Sequence, residues 1–427
     1  MEEARSEVRP QVTRAQLGSV ALGNALEFYD FMIFSFFAIQ IGETFFPSTN
    51  PVNSLLAALA TFGAGFLTRP LGAWAIGRYG DRVGRKPAML LSFGLIGVSS
   101  LALALIPSYA AIGIAAPVLV IIGRLVQGFA LGGEVGPSTA FLAECAPIEK
   151  RGRYISLQFI SQGAAILASG IVGVAVAKAF GDAGLTEYGW RIALALGALI
   201  VPVGLVLRRS LVETLPEPSS EEPASSAPYA RVIVLGFFIL LAGTIGTYVM
   251  TYLTTYAQSV LGLPPDISLG ATVAGGLAYM LGAVAGGVAA DRIARRPVML
   301  VPMGLSFVLI LPSFWWLNAN PSEAVLYAVA FWLRFILTMG MTAGFIALTE
   351  GLPLRVRAGA LSLVYAVAIS VFGGSTQFII AWLTDATGDP MAPAWYLLAA
   401  TGIGLVAMAL MRESHPRRTA PVTLSAA

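Results

Sequence analysis

The sequence contains one cysteine, one histidine and few charged side chains, and each shortage excludes a class of protein. Cys145 has no second cysteine for an internal disulfide, and His415 alone cannot build a metal site, so no metal is expected. No GxxxxGKS or GxxxxGKT sequence is present, which excludes that phosphate-binding loop for ATP. Charged residues make up 11% of the 427 residues, whereas soluble proteins carry about 25%. We therefore expect neither an enzyme nor a bound cofactor.

Long hydrophobic runs dominate the rest of the chain. Hydrophobic residues make up 57% of it, and the runs reach the roughly 20 residues that a membrane-spanning helix needs. Lipid offers no partner to open backbone groups, so the spans must be helices. Twelve spans lie near residues 18–38, 53–77, 88–107, 117–144, 154–178, 190–208, 230–258, 266–290, 297–317, 323–349, 358–384 and 391–411. Residues 1–17 are charged and polar, so the first span is expected to direct insertion without a cleaved signal peptide.

The basic residues are distributed unequally between the two sides of the predicted membrane. With these spans, 21 of the 26 Lys and Arg residues fall on one side, which we name the basic side; it holds both termini. The opposite side keeps only Lys178 and Arg191. The positive-inside rule then places both termini in the cytoplasm. The net charge of +3 follows from this topology, so no nucleic-acid partner is expected.

Two hydrophilic turns of the first half recur in the second half. GRYGDRVGRKP, residues 77–87, returns as GVAADRIARRP 210 residues later, and AECAPIEKRGRYISL, residues 143–157, matches TEGLPLRVRAGALSL 206 residues later. Such duplication between long apolar segments is typical of membrane transporters. It predicts an all-α membrane protein with twelve transmembrane helices in two pseudo-symmetric six-helix bundles. The predicted units are a cytoplasmic segment 1–17, bundles 18–208 and 230–411, a cytoplasmic linker 209–229 and a cytoplasmic tail 412–427.

Six charged side chains remain inside the predicted spans. Each costs about 2.5–3.5 kcal/mol at the centre of the bilayer on insertion scales, so each is a candidate functional residue. The alternative is an internal ion pair that only fixes helix packing. The six are Arg69, Arg124, Arg334, Glu27, Asp30 and Glu134.

The acidic residues predict a proton-carrying group. Glu27 and Asp30 are three residues apart and share one helix face. Two carboxylates that close repel each other when both are ionised, so one of them is expected to take up a proton unless Arg69 or Arg124 neutralises both. Glu134 is the third candidate for proton coupling.

The arginines predict an anion-binding site. Arg124 lies on one helix face with Gln127, a further candidate for substrate binding, and its guanidinium can hold a carboxylate through two parallel hydrogen bonds. Spans 4 and 10 are repeat partners, and Arg334 lies one turn away from the position that corresponds to Arg124. Two guanidinium groups facing each other would hold a multiply charged anion. Substrate contact by Arg334 is favoured over structural pairing, because no acid lies near it in its own half of the sequence.

Further polar residues are candidates for a cavity lining. Tyr248, Tyr252 and Tyr256 form a stripe with a spacing of four residues, which suits either a cavity or an interfacial belt. Glutamines inside spans suit either substrate contact or hydrogen bonds between helices. These are Gln158, Gln162 and Gln377.

The repeated loops predict a conformational latch on the basic side. A carboxylate of the loop can accept bonds from an arginine and from helix N-terminal amides, and these bonds form only when the two halves meet there. Gly77 is expected to permit close helix approach. The other predicted latch residues are Asp81, Arg82, Arg85, Asp291 and Arg295.

The motifs GRYGDRVGRK and RLVQGFALGG resemble the signature sequences of the major facilitator superfamily. Together with GNALEFYDFMIFSFFA and AECAP…RGR, they are similar to its metabolite:proton symporter branch. The segments WRIALALGALIVPVGLVLRRSLVET and ALTEGLPLRVRAGALSLVYAVAISVFGGSTQFIIAWLTDATGDPMAPAWYL look most like those of citrate or tricarballylate symporters. The resemblance implies the twelve-helix fold, a cavity lined by helices 1, 4, 7 and 10, proton symport, a proton-coupling role for Arg124 and a bacterial inner membrane. The second loop departs from the pattern, because it lacks the glycine that corresponds to Gly84.

The expected function is proton-coupled import of a di- or tricarboxylate. Its expected partners are a small organic anion, protons and the lipid bilayer, with the chain acting as a monomer. Alternatives in the same family are symporters of shikimate, 2-oxoglutarate, proline or betaine. From other classes, a drug exporter or a transport-dead sensor stays open, and the duplicated latch argues against a passive channel.

Overall fold

A computed structural model describes residues 14–132, 139, 142–143, 145–203, 229–352 and 354–414. Every regular element in these ranges is a helix. Among these described residues, the first half holds nine α-helices, namely α1 (Arg14–Phe36), α2 (Ala38–Phe45), α3 (Pro51–Leu67), α4 (Arg69–Val83), α5 (Arg85–Leu105), α6 (Tyr109–Ile112), α7 (Ala115–Leu131), α8 (Arg151–Gly184) and α9 (Trp190–Gly197). The second half holds α10 (Ala230–Ser259), α11 (Pro265–Arg292), α12 (Arg295–Ala319), α13 (Glu323–Glu350), α14 (Leu354–Ala368), α15 (Gly374–Thr387) and α16 (Ala392–Leu410).

The helices overlap all twelve predicted spans. By length and composition, eight described helices can cross a membrane, or nine if the bent pair α1 and α2 forms one span. Leu90–Leu105 and Ala115–Leu131 are shorter apolar helices. The segment Ile148–Val203 is 56 residues long and includes two predicted spans. The predicted linker 209–229, except Tyr229, lies outside the described residues, as do Glu134 and most of the predicted tail.

Several spans are less regular than hydropathy predicts. The chain turns by 64° between α1 and α2. Gly181 interrupts the long helix α8 with φ of 63°, a left-handed conformation that glycine adopts without strain. The eleventh span contains a π-helical turn, Ile369–Gly373, between α14 and α15. Such turns occur frequently at functional sites, and this one borders the cavity described below.

The two halves meet where glycines bring helix backbones together. A Cβ on Gly63 of α3 would collide with the carbonyl of Gly374 on α15. A Cβ on Gly170 of α8 would lie 2.7 Å from the backbone nitrogen of Val273 on α11. Small residues let membrane helices approach this closely. The two seams, α3 with α15 and α8 with α11, leave a cavity between them.

A polar cavity between the two halves

The cavity lies between the two halves, and the space inside its lining, including the part open to solvent, is about 780 Å³. Its wall includes Phe28 of α1 and Phe159 of α8, and otherwise comes largely from the second half. The polar side chains of the wall are Gln158, Gln162, Thr244, Thr247, Tyr248, Tyr279, Arg334, Thr338 and Tyr365. Among the described lining residues there is one cation and no carboxylate. The cavity therefore offers an anion one full positive charge and several neutral hydrogen-bonding groups.

Arg334 is the cation of this cavity. Its side chain is buried, and its Nη1 donates to the carbonyl oxygen of Thr247 at 3.0 Å and lies 3.5 Å from Thr251 Oγ1. The guanidinium carbon lies 5.1 Å from the centre of the Tyr279 ring, a cation–π contact. Its Nε has no hydrogen-bond partner in the part of the chain that the structure describes. Neutral groups satisfy only part of this cation, so a carboxylate from a ligand would complete its shell.

The two glutamines of α8 have different surroundings. Gln162 Oε1 accepts a hydrogen bond from the hydroxyl of Tyr279 at 3.1 Å, which joins the halves across the cavity. Gln158 Nε2 donates to Asn24 Oδ1 at 3.0 Å and thereby joins α8 to α1. Both residues also line the cavity. The two predicted roles, helix packing and contact with the cavity, are compatible here.

Arg124 lies outside the lining of this cavity. Its fully buried guanidinium packs against a cage of rings, with the centres of Phe31, Phe34 and Phe62 at 4.4, 4.6 and 5.1 Å. Its Nη1 donates to Gln127 Oε1 at 2.7 Å. In this conformation Arg124 and Arg334 therefore do not share one cavity.

Asp30 is held by neutral donors from two neighbouring helices. The side chain is fully buried, Ser100 Oγ of α5 donates to Oδ1, and Gln127 Nε2 of α7 donates to Oδ2 at 2.8 Å. Gln127 thus stands between the carboxylate of Asp30 and the guanidinium of Arg124. Glu27 is buried too, with 4% of its surface exposed. Asp30 lies outside the cavity lining, so a proton on it would act on a bound substrate indirectly.

Arg69 lies beside the aromatic cage around Arg124 and packs against one of its rings, that of Phe31. Its guanidinium carbon lies 4.4 Å from the centre of the Phe31 ring and 4.2 Å from that of Phe66. The rings of Phe62 and Phe66 in turn contact Tyr248, with centres 6.0 and 5.6 Å apart. Tyr248 lines the cavity, so an unbroken set of ring contacts connects the cage to the cavity wall.

The predicted tyrosine stripe divides along α10. Tyr248 lines the cavity, whereas Tyr252 is buried elsewhere and Tyr256 donates to Asn318 Oδ1 at 2.6 Å inside the second half. Successive positions four apart rotate around a helix, so they need not share a wall. Gln377 is also outside the lining, and its Oε1 accepts from Ser35 Oγ at 2.7 Å.

Two cavity tyrosines were missed by the sequence reasoning. Tyr279 of α11 and Tyr365 of α14 line the cavity, yet neither is charged nor part of a repeated motif. A single hydroxyl-bearing ring in an otherwise apolar span was the available signal, and it is weak, because tyrosine also occurs at membrane interfaces.

The second repeated loop joins the two halves on the basic side. Asp291 Oδ1 accepts from the backbone nitrogen of Gly152 at 2.8 Å, and its Oδ2 accepts from that of Arg153 at 3.1 Å. Both amides belong to the first turn of α8, where a negative charge is favoured by the helix dipole. Arg295 lies 3.3 Å from Asp291 and forms two bonds, of 3.0 and 2.8 Å, to Glu350.

The first repeated loop is described only in part. The side chains of Asp81 and Arg85 lie outside the described residues, and Arg82 is exposed. A Cβ on Gly77 would meet no described atom within 4 Å, so the described residues show no close helix approach at that position. The glycine seams between the halves lie elsewhere along the helices.

The segment after α16 packs against the same ion pairs. Glu413 accepts from the backbone nitrogens of Arg295 and Arg296, each at 3.0 Å, and so caps the start of α12. Ser414 Oγ donates to Glu350 Oε2 at 2.9 Å. The C-terminal segment therefore stabilises the helix end that carries Arg295.

Asp291→Asn is expected to weaken the contact between α8 and α11 by about 1–2 kcal/mol, because the amide keeps the shape of the side chain but lacks the charge that two N-terminal amides and Arg295 bind. Spin labels at the exposed positions Lys150 and Ile293 would report a larger population of separated helix ends. Asp266→Asn, in the first turn of α11 at its other end, should leave that distance distribution unchanged. Equal distributions in Asp291→Asn and the wild type would contradict the latch.

Comparison with known proteins agrees with this geometry. The profile of the Major Facilitator Superfamily matches residues 20–367. A citrate-proton symporter of Salmonella typhi is 38% identical over 400 residues, which are 92% of each chain. The alpha-ketoglutarate permease of Escherichia coli is 34% identical over 97% of this chain and 98% of its own. A proline/betaine transporter of the same species is 31% identical over 95% of this chain and 84% of its own.

Solved structures support the fold independently. The partially occluded, inward-open xylose transporter XylE from E. coli superposes with a TM-score of 0.75 at 18% identity, over 94% of this chain and 98% of its own. XylE bound to 6-bromo-6-deoxy-D-glucose gives a TM-score of 0.74 at 16% identity, over 93% and 96%. The predicted fold of twelve transmembrane helices in two bundles is confirmed. This chain belongs to the major facilitator superfamily and is a multi-pass membrane protein.

Proposed function

We propose that this protein is a proton-coupled symporter that imports a di- or tricarboxylate, such as citrate, across the bacterial inner membrane by alternating access. The observation that carries the proposal is Arg334, a buried cation on the wall of a cavity that has no carboxylate among its described lining residues. The extensive similarity to citrate-proton symporters supports the same substrate class.

The substrate would place one carboxylate against Arg334. A charge-assisted pair offsets part of the cost of burying both groups. A second carboxylate or a hydroxyl group of the substrate would then face neutral donors of the wall, among them the hydroxyls of Tyr248, Tyr279 and Tyr365 and the amide of Gln162. One cation with several neutral donors suits an anion with more than one polar group.

The coupled proton would bind at Asp30, with Glu27 as its neighbour. Asp30 is fully buried, and its oxygens accept bonds from two neutral side chains. Such a carboxylate can exist with or without a proton at modest cost, which a proton carrier requires. The proposed orientation, with both termini in the cytoplasm, rests on the concentration of Lys and Arg on the basic side.

Alternating access would use the contact of Asp291 with α8 as a latch for the state that is closed on the basic side. Opening that side requires this contact and the nearby glycine seam between α8 and α11 to separate. Asp81 and Arg85 of the first loop are proposed as the equivalent latch by sequence repetition alone.

A second candidate, a symporter of a zwitterion such as proline or betaine, is favoured by the aromatic part of the cavity. Phe28, Phe159, Tyr248, Tyr279 and Tyr365 line it, and aromatic faces attract quaternary ammonium groups. Arg334 would hold the carboxylate in either case. The two candidates differ in whether a second anionic group is accepted.

Uptake of radiolabelled citrate into proteoliposomes, with and without an imposed pH gradient, tests the proposal. We expect accumulation only with an inward proton gradient, and competition by unlabelled citrate and tricarballylate but not by betaine. Competition by betaine and proline alone would favour the zwitterion symporter. Citrate uptake that ignores the gradient would reject proton coupling.

A further inference from the structure

Four polar side chains form a continuous hydrogen-bonded network inside the first half. Ser100 Oγ donates to Asp30 Oδ1, Gln127 Nε2 donates to Asp30 Oδ2 at 2.8 Å, and Arg124 Nη1 donates to Gln127 Oε1 at 2.7 Å. Gln127 Nε2 also lies 2.9 Å from Ser100 Oγ. The side chains of Asp30, Gln127 and Arg124 are fully buried. Water therefore cannot replace a hydrogen bond that this network of side chains loses.

The amide of Gln127 matches both of its neighbours. Its NH2 group faces an acceptor, the carboxylate, and its carbonyl oxygen faces a donor, the guanidinium. The reverse orientation would set the carbonyl oxygen against a carboxylate oxygen and the NH2 group against the guanidinium. An Asp30 without a proton on Oδ2 and the guanidinium of Arg124 together favour the amide orientation observed.

A proton on Asp30 Oδ2 reverses this match. The new O–H then points at the NH2 group of Gln127, so two donors face each other. Rotation of the amide by half a turn lets Oε1 accept from the carboxylic acid, and the same rotation brings Nε2 against Arg124 Nη1. Arg124 loses its hydrogen bond to Gln127, the one bond it makes among the described residues. The only covalent change is the new O–H bond between Asp30 Oδ2 and the incoming proton.

We infer that Gln127 is a positioning residue that transmits the protonation of Asp30 to Arg124, and that it is not a substrate contact. The inference rests on the proposed function, in which Asp30 takes the coupled proton. Gln127 lies outside the cavity lining, so direct contact with a substrate would need a different arrangement of α7.

Contacts between aromatic rings connect Arg124 to the cavity wall. Arg124 packs on Phe62, the ring of Phe62 contacts that of Tyr248, and Tyr248 lines the cavity. A guanidinium released by Gln127 would shift against this ring and so change the cavity wall. The packed rings leave few other directions for it to move.

Among the described residues, few other charged or titratable groups face this network of side chains. Tyr29 of α1 and Arg124 of α7 act electrostatically on Asp30, while α5 contributes Ser100 and α9 places Gly197 against the carboxylate. Arg69 of α4 and Tyr248 of α10 act on Arg124. These groups set the field at both ends, and within the described residues Gln127 is the one side chain that hydrogen-bonds to both Asp30 and Arg124.

The test compares citrate binding to purified full-length Gln127→Met and wild type in acidic and in alkaline buffer. Methionine has a similar length but offers neither the NH2 donor nor the carbonyl acceptor of the glutamine amide. The ratio of the two dissociation constants at each pH cancels the ionisation of citrate itself. We expect this ratio to change by about tenfold between the two buffers, because the citrate affinity of the variant no longer depends on the protonation of Asp30. Accumulation driven by a proton gradient should fall about tenfold as well, while citrate exchange at equal concentrations continues.

Two results would overturn the inference. A ratio that stays constant with pH, together with normal accumulation, would mean that Gln127 transmits nothing. Loss of citrate binding at both pH values, in a variant that remains monodisperse and thermally stable, would make Gln127 a substrate contact or a packing residue. If Gln127→Met does not fold, Gln127→Asn replaces it, since an amide shorter by one methylene cannot span Asp30 and Arg124. The same change in ratio is expected for it.

Two controls separate this inference from the proposed function. Gln40→Met removes another buried glutamine, ten residues beyond Asp30 and past the break between α1 and α2, and its ratio should not vary with pH. Asp30→Asn tests the proton site itself. Normal accumulation by Asp30→Asn would reject that site and the relay with it. Lost accumulation by Asp30→Asn beside normal behaviour of the Gln127 variants would reject the relay alone.

Discussion

Arg334→Ala is expected to weaken the binding of citrate by about 2–5 kcal/mol, with little effect on the assembly of the helices. The guanidinium is the one cation among the described cavity residues, and its Nε lacks a partner there. Its removal leaves one substrate carboxylate buried without a counter-charge. The loss should be larger for a tricarboxylate than for a dicarboxylate, and smallest for a monocarboxylate. Binding of all three to purified protein would measure it.

Arg191→Ala provides the matched control for the loss of a positive charge. Arg191 also contacts an aromatic ring, that of Trp190, and its Nη1 donates to the carbonyl oxygens of Ala104 and Ile106. It fixes helix ends away from the cavity, so its removal should lower thermal stability and leave the order of substrate affinities unchanged. An equal loss for all three acids in Arg334→Ala, or no loss, would make Arg334 a packing residue.

Asp30→Asn is expected to abolish accumulation of citrate against its gradient and to spare exchange between equally loaded sides. The asparagine is close in shape to a protonated aspartic acid, with an NH2 group where the acid has its proton. It therefore holds the buried side chains around residue 30 permanently in the arrangement expected for a protonated Asp30. Net uptake requires the proton to be released, whereas exchange returns through the loaded states and does not. Parallel measurement of both in the same proteoliposomes distinguishes the two.

A pair of serines on α5 serves as the positional control for Asp30. Ser100 donates to the carboxylate, whereas Ser99 donates to the carbonyl oxygens of Leu95 and Ile96 in its own helix. Ser100→Ala should reduce accumulation, and Ser99→Ala should not. Loss of exchange together with accumulation in Asp30→Asn would instead assign Asp30 to binding or packing.

The sequence predicts the fold far better than the site, for a physical reason. Spans are determined by length and hydropathy, which are local properties, and each of the twelve contains a helix within the described residues. The charged residues were also conspicuous, because charge is rare in a membrane interior. Arg334 was therefore selected from the sequence, and the structure places it on the cavity wall.

The division of labour among these residues depends on tertiary packing and could not be predicted. Arg124 and Arg334 occupy similar places in the two repeats, yet Arg124 packs against the rings of Phe31, Phe34 and Phe62, whereas Arg334 lies on the cavity wall. The sequence left open whether Arg124 neutralises Asp30, and in the structure a glutamine stands between them. Tyr279 and Tyr365 carry no charge, so only the shape of the cavity identifies them.

The C-terminal segment has a consequence for the order in which the protein is made. Asp291 and Arg295 leave the ribosome long before Glu350, and Glu413 with Ser414 follow only after the last helix. Glu350 and Glu413 each complete a bond at the start of α12, and Ser414 donates to Glu350. A nascent chain that has inserted eleven helices therefore still lacks the cap at that helix start, and the basic side reaches its stable closed form only once synthesis has passed residue 414.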